Sequence, residues 1–295
     1  MSTDMQNAEA TGLRFSVIVP VYGQWEFVPA LIAAIERQTF PAERFQLILV
    51  DNGTPGFAPP GRLPANAGII DCREPGSYAA RDDGAHAALG EILVFTDADC
   101  RPHPGWLAAF DRAAEEGGQL LGGAVTPVAS SRPNAFEIHG LVRGIPQERY
   151  VERGYAATAN LAVSADLYRK LGGFDRNRYS GGDADLCWRA RDIGMAVRLV
   201  PGARVDHLAR RNWRDVATKA RRIAGARLAS GSLSARFRGA IATIAPPIIA
   251  WSFDLTAPNQ PLRRRLIAGG IDTLIWAVQI GEFLRLAFGF PPERR

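Results

Sequence analysis

Ile92-Leu93-Val94-Phe95-Thr96-Asp97-Ala98-Asp99-Cys100 is the stretch on which the reading of this chain turns. A continuous apolar run rich in branched and aromatic residues predicts a buried strand. It stops at two aspartates separated by one small residue. If the segment stays extended, alternate side chains share a face and both carboxylates point the same way. Two hard oxygen ligands at the tip of a buried strand suit a divalent cation, and the cation suits a diphosphate. A lone Asp-x-Asp marks a turn or a helix start just as readily. Here the strand before it, and the loop with Pro102, Pro104 and Trp106 after it, give the pair functional weight. A nucleotide-dependent transferase is therefore the first function class to consider.

The sequence on either side of this strand alternates strand and helix signals, which predicts a parallel sheet. Phe15 to Val21 reads as a strand running into Tyr22-Gly23, and Glu26 to Gln38 as a helix. Phe45 to Val50 is a second strand, ending at the turn signal Asp51-Asn52-Gly53. Residues 54–66 read as a loop, Gly68 to Cys72 as a short strand and Tyr78 to Leu89 as a helix. Ligands of such sheets bind outside the carboxyl ends of the strands, where Asp51, Asp97 and Asp99 all fall.

The second half is less regular. Leu120 to Val125 and Thr158 to Val163 read as strands, separated by a long polar loop that includes His139 and Arg143. A helix from Ala165 ends at Gly172-Gly173 and another begins near Asp183. Ala196 to Val200 and Arg204 to Asp206 read as two short strands bracketing Pro201-Gly202. Beyond Asn212, Trp213 to Ala229 is a basic helix, and Ala240 to Phe253 is apolar but interrupted by Pro246-Pro247. Leu266 to Phe290 is long and apolar yet carries Asp272, Gln279, Glu282 and Arg285, a charge density that weighs against a span inserting alone.

With 295 residues, 47% of them hydrophobic, the chain can bury one large core or two smaller ones. Cys72, Cys100 and Cys187 are few, odd in number and not in metal-ligand spacing, and Met1 to Gly12 is a polar tail without a secretory signal's apolar run. Together these predict a reducing, cytosolic location. The net charge of +5 is unevenly spread. From Arg204 onward there are 16 Lys/Arg against 6 Asp/Glu, net +10, leaving −5 for the residues before it. That asymmetry points to an anionic membrane surface, with Arg263-Arg264-Arg265 at the headgroups and the apolar segments lying in the interface. A solvated helix face, a helical cap on the core or a dimer contact is the plainer alternative. Nearly all the basic residues are arginine, which carries no nucleic-acid signal here.

Further candidates lie outside the Asp-x-Asp. Tyr179-Ser180-Gly181-Gly182-Asp183-Ala184-Asp185-Leu186 places a carboxylate after a glycine turn at a helix start, suited to a general base or to an ordinary cap. His207 follows a strand signal, and a neutral imidazole is a good ligand for Mn²⁺-like metals. Arg81, on a helix beside the crevice, can clamp a phosphate, or else pair with Asp82 or Asp83. His86, His103 and His139 default to structural roles. No Gly-rich Arg-containing signature follows the first strand, which disfavours a sugar nucleotidyltransferase. The lack of Gly-x-Gly-x-x-Gly there disfavours a dinucleotide oxidoreductase.

Several segments together resemble family 2 glycosyltransferases of the GT-A fold. They are Ser16-Val17-Ile18-Val19-Pro20-Val21-Tyr22, Leu49-Val50-Asp51-Asn52-Gly53-Thr54, Asp97-Ala98-Asp99, Gly172-Gly173-Phe174-Asp175 and Gly182-Asp183-Ala184-Asp185-Leu186. The resemblance runs from Phe15 to His207. It implies an α/β fold whose mixed, mostly parallel, Rossmann-like sheet is flanked by helices, followed by a C-terminal helical extension. The expected organisation is a tail over 1–12, a catalytic domain over 13–210 and a helical region over 211–295. The resemblance further implies an inverting transfer of one sugar from a nucleotide-diphosphate sugar to an acceptor; with the basic tail and the polar N-terminus, the expected acceptor is lipid-linked or glycan, met at the cytoplasmic face of the cell membrane in cell-surface glycan assembly. Pro20, Val21 and Tyr22 would line the nucleotide pocket, Asp51 would bond the base, and Arg81 and Asp97 would face the nucleotide or diphosphate. Asp97, Asp99 and His207 would hold Mg²⁺ or Mn²⁺, and Asp183 would be the catalytic base. Two departures stand out. Gly182 replaces the glutamate common in the family, so its role is either missing or supplied elsewhere, with Asp185 the candidate, and this keeps an inactive sugar-nucleotide-binding scaffold as the alternative. The Gln-x-x-Arg-Trp motif of processive synthases is absent, with Arg210-Arg211-Asn212-Trp213 near its place, which predicts single-residue transfer.

Overall fold

A computed structural model of the chain describes residues 12–229 and 232–293. The tail expected over 1–12 lies, but for Gly12, outside them. Eight strands form one sheet: β1 (Phe15–Val21), β2 (Phe45–Asp51), β3 (Ala67–Asp71), β4 (Ile92–Thr96), β5 (Cys100–Pro102), β6 (Leu120–Val128), β7 (Asn160–Ser164) and β8 (Arg198–Leu208), in the order β3-β2-β1-β4-β7-β6-β8-β5. The strands from β3 to β4 in this order are parallel, whereas β7 meets β4 antiparallel and β5 meets β8 antiparallel. The apolar runs Val17–Val19 of β1, Leu47–Val50 of β2 and Ile92–Phe95 of β4 suit this position, because a parallel sheet covered on both faces buries both sides of its strands.

Helices α1 (Val28–Glu36), α2 (Ser77–His86), α3 (Trp106–Glu115), α4 (Ala135–Arg143), α5 (Gln147–Glu152), α6 (Ala165–Lys170) and α7 (Gly182–Asp192) alternate with or follow the strands. α8 (Trp213–Ala229), α9 (Leu233–Ile244), α10 (Ile248–Leu255) and α11 (Leu262–Ala287) form the C-terminal helical extension. The chain divides into two compact units. One comprises residues 1–126, 145–177 and 182–207 and holds two apolar clusters, built around Phe15, Trp106 and Phe110 and around Phe95, Tyr168 and Phe174. The other comprises residues 127–144, 178–181 and 208–295.

Two local expectations are corrected. The polar loop expected around His139 and Arg143 is helix α4. Asn134 caps it, accepting from the N–H groups of Phe136 and Glu137 at 3.0 Å each, while Glu137 accepts in return from Asn134 N. Burial pushes the Glu137 carboxyl up, but the N–H groups of Ser130 and Asn134 outweigh it and leave the group below its ordinary range. The two short strands expected on either side of Pro201-Gly202 are one strand, β8. Only Val205–His207 of it pairs with β5, so Pro201 lies where that edge needs no donor.

Candidate active site

The carboxyl ends of three neighbouring parallel strands carry most of the expected residues. Val21 stands opposite Asp51 in the β1–β2 register, and β4 runs beside β1 into Asp97. Asn160, at the start of antiparallel β7, is paired with Thr96, so the residues just before β7 arrive at the same edge. Thr96 Oγ1 donates to Ala159 O at 2.9 Å and fixes that junction.

Asp97 and Asp99 do not share a face of an extended strand as expected. Cys100 N donates to Asp97 O at 3.0 Å, closing a turn, and the chain then pairs as β5 with β8. The carboxylates still converge, because the turn folds them together. Cys100 stands opposite His207 in the β5–β8 register, and ligand atoms of Asp97, Asp99, Cys100 and His207 lie within 4.8 Å of one another. His207 Nε2 is 3.6 Å from Asp99 Oδ1. Burial, with Asp97 and Asp99 beside it, pushes the Cys100 thiol well above its ordinary range, and its Sγ faces Ala159 O at 3.7 Å. The donors suited to a hard cation are therefore two carboxylates and one imidazole, a set that fits Mg²⁺ or Mn²⁺.

Asp51 is engaged at both oxygens. Oδ1 accepts from Trp25 Nε1 at 2.8 Å, and Oδ2 accepts from the N–H groups of Gly53 and Thr54 at 3.1 Å each. Trp25 packs on Phe57 with ring centroids 4.5 Å apart, giving this end of the crevice an aromatic wall. Tyr22 is exposed and Pro20 half-buried. Val21 sends its side chain wholly into the core, leaving its main chain at the edge. Asn52 holds the approach to α2: its Nδ2 donates to Cys72 O and Glu74 O, and its Oδ1 accepts from Gly76 N.

Helix α2, set in this way, carries two side chains one turn apart that reach the two acidic groups. Arg81 Nη2 donates to Asp97 Oδ1 at 2.5 Å. Its alternative partners, Asp82 and Asp83, are taken by Arg176, so the expected surface ion pair of Arg81 is not the one formed. Buried Arg81 Nε has no hydrogen-bond partner among the described residues. Tyr78 Oη donates to Asp183 Oδ1 at 3.3 Å, and Asp183 Oδ2 accepts from Thr158 N at 3.4 Å. Asp183 lies in the first turn of α7, where the helix dipole favours a carboxylate. Asp185 accepts from Arg189 at 2.9 Å, and Arg189 also bonds the carbonyls of Leu171 and Gly173. Asp185 thereby helps hold α7 against the preceding loop through Arg189. Sequence reasoning passed over Trp25, Asn52 and Tyr78. The Asp51-Asn52-Gly53 turn signal flagged Asn52's place, but nothing local marked the other two.

Comparison with known proteins gives a consistent picture. Residues 16–156 match the family described as Glycosyl transferase family 2. The chain is 32% identical over 190 residues to glycosyltransferase AglE of Haloferax volcanii, covering 62% of each protein. It is 31% identical over 155 residues to a pre-mycofactocin glycosyltransferase of Mycobacterium tuberculosis, covering 49% of this chain and 33% of that one. The matched region thus spans less than two thirds of either relative. Among solved structures it resembles mannosyltransferase PcManGT from Pyrobaculum calidifontis in complex with GDP-Man and Mn²⁺, with a TM-score of 0.57, 17% identity, and 93% and 87% of the two chains covered. It also resembles S. aureus TarS 1-349 in complex with UDP-GlcNAc, with a TM-score of 0.52, 17% identity, and 95% and 74% covered. At that identity the likeness establishes the fold alone.

Proposed function

On the premise that this chain carries a family 2 glycosyltransferase domain of the GT-A type, we propose that it transfers one sugar from a nucleotide-diphosphate sugar to a hydroxyl acceptor, inverting the anomeric carbon. The observation that carries this reading is the pair of side chains on α2. Arg81 touches Asp97 and Tyr78 touches Asp183, so one helix, over a single turn, contacts both the diacid and the base candidate.

In this reading Asp97, Asp99 and His207 hold Mg²⁺ or Mn²⁺, which when bound neutralises charge developing on the leaving diphosphate. Arg81 presents its guanidinium to a phosphate oxygen, which would satisfy its orphaned Nε. Asp51, with Trp25 and Phe57 beside it, receives the base, and Pro20, Val21 and Tyr22 border the nucleotide. Asp183 takes the proton of the acceptor hydroxyl as its oxygen attacks from the face opposite the diphosphate. Holding donor and acceptor in line supplies much of the remaining rate. The proposed acceptor is a lipid-linked or surface glycan, met at the cytoplasmic face of the membrane, where the basic C-terminal region rests on anionic lipid. The missing processive motif favours transfer of a single residue.

The test is binding and turnover of UDP-, GDP- and dTDP-sugars with Mn²⁺, with Mg²⁺ and with chelator. Metal-dependent binding of one donor, lost in Asp99→Ala, is expected, with product of inverted anomeric configuration by NMR. Binding of a donor without turnover to any acceptor would instead favour a sugar-nucleotide-binding scaffold, and no donor binding at all would sink both readings.

A further inference from the structure

We infer that the elbow between α9 and α10 seats the C-terminal unit on an anionic lipid bilayer, with Ile244, Ile248 and Ile249 entering the acyl boundary. This rests on the membrane attachment proposed above and assigns it to particular residues.

The C-terminal helices bury a small apolar cluster of Val142, Ala257 and Ala268, yet leave a run of large apolar side chains exposed. Leu233, Phe237 and Ile241 recur at four-residue spacing along α9, and all three are exposed. Ile244 follows, then Pro246-Pro247 break the helix, and α10 opens with Ile248 at 65% and Ile249 at 87% exposure. Thr243, Asp254, Asp272 and Glu282 of the same unit are buried. Scattered exposed apolar residues are ordinary, but several large ones at helical spacing, followed by Ile244, Ile248 and Ile249, mark a contact surface.

The elbow is braced. Trp276 Nε1 donates to Ile244 O at 3.3 Å, and Trp251 Nε1 donates to Thr273 Oγ1 at 3.2 Å, tying both sides of the proline break to α11. Elsewhere in the unit, His139 Nε2 is 2.8 Å from Asp272 Oδ1, and the Arg143 guanidinium lies over the Phe253 ring and near both Asp254 and Asp272.

Charge selects the occupant. Between residues 232 and 292 the acids are Asp254, Asp272 and Glu282, all buried. Arg236, Arg238 and Arg263 are exposed, so the charge this surface shows is positive. A second copy meeting it about a two-fold axis would set arginine against arginine, whereas anionic headgroups complement it. α9, with 12 residues, is about 18 Å long, too short to cross a hydrocarbon core of about 30 Å, so the elbow lies in the interface.

The experiment is sedimentation of the full chain with vesicles of phosphatidylcholine alone or with 30% phosphatidylglycerol, at low and at physiological salt, beside light scattering without vesicles. The wild type is expected to sediment with the anionic vesicles, and Ile248→Ser/Ile249→Ser to bind at least tenfold more weakly while keeping its circular dichroism and melting temperature. Since Cys72, Cys100 and Cys187 are buried, Ile249→Cys takes an environment-sensitive dye selectively, and its emission should shift to the blue on those vesicles. Wild type that binds no vesicle overturns the membrane attachment itself. Wild type that binds while Ile248→Ser/Ile249→Ser binds equally overturns the elbow alone. A dimer dissociated by that double substitution, with no vesicle binding, assigns the face to a second copy.

Discussion

The ring of Tyr78 lies against the backbone of Gly182 so closely that a Cβ there would sit 2.8 Å from Cδ1 and 2.9 Å from Cδ2 and Cε1. The glycine that stands where the resembled family commonly has glutamate is therefore packed by a neighbour, and the same tyrosine reaches the Asp183 carboxylate. Restoring the usual acid by Gly182→Glu should destabilise the chain by about 1–3 kcal/mol through overpacking. In a Tyr78→Ala background the same change should lose most of that penalty. Urea denaturation of the four variants measures the coupling, and independent, additive effects would refute the steric account.

Tyr78→Phe separates the ring from its hydroxyl. The ring still fills the space over Gly182, so stability should hold to within about 0.5–1.5 kcal/mol, the ordinary net worth of one hydrogen bond. Turnover should fall several-fold with the nucleotide KM unchanged, because the lost donor faces the base and not the donor substrate. A rise in nucleotide KM at constant kcat would place Tyr78 in donor binding instead.

His207→Ala should weaken Mn²⁺ binding more than Mg²⁺ binding, since an imidazole suits the softer ion while the two carboxylates serve either. Asp99→Ala should abolish both. Calorimetric titration with each ion reads the difference directly, and equal losses would put His207 outside the ion's coordination sphere.

Asp254 is buried, with neither oxygen hydrogen-bonded among the described residues. Burial and the adjacent Asp272 carboxylate raise its pKa to about 7, against the pull of Arg143. In Asp272, burial is outweighed by the hydrogen bond from His139 and the charge of Arg143, and its pKa falls. Because the folded protein holds the Asp254 proton more tightly than the unfolded chain does, its contribution is fully present below about pH 4 and is lost as pH rises through about 7. Asp254→Asn should therefore raise the melting temperature at pH 8 more than at pH 5. An equal gain at both values would show that Asp254 is ionised throughout.

The strands that frame the crevice were legible because each is an apolar run closed by a turn or a polar tip. Phe15–Val21 and Ile92–Thr96 fall where their patterns put them, and so does the basic helix Trp213–Ala229. Helix α4 was obscured by His139 and Arg143, whose polarity reads locally as loop. Their partners are Asp254 and Asp272, the latter 133 residues from His139. The Asn134-x-x-Glu137 capping box was present in the sequence and could have overruled that impression. Tyr78 could not have been found in the same way, because its bond to Asp183 spans 105 residues and no local period records it. Asp97 and Asp99 converge, as expected, but through a turn closed by Cys100 N and Asp97 O and not along an extended strand, which no alternation in the sequence records.

The pairing of β5 with β8 places the acidic cluster late in the order of assembly. Asp97, Asp99 and Cys100 are neighbours in sequence, but His207 joins them only when β8 has found β5 at the end of the sheet. Long-range pairing of this kind is slow to nucleate, because the closure entropy of the intervening chain must be met first. The nucleotide end of the crevice, built from β1, β2 and the start of α2, draws on contacts within the first quarter of the chain and has no such wait. The full ligand set of the cluster therefore depends on the β5–β8 pairing, whereas the Asp51 end of the site depends only on contacts among residues 15–77.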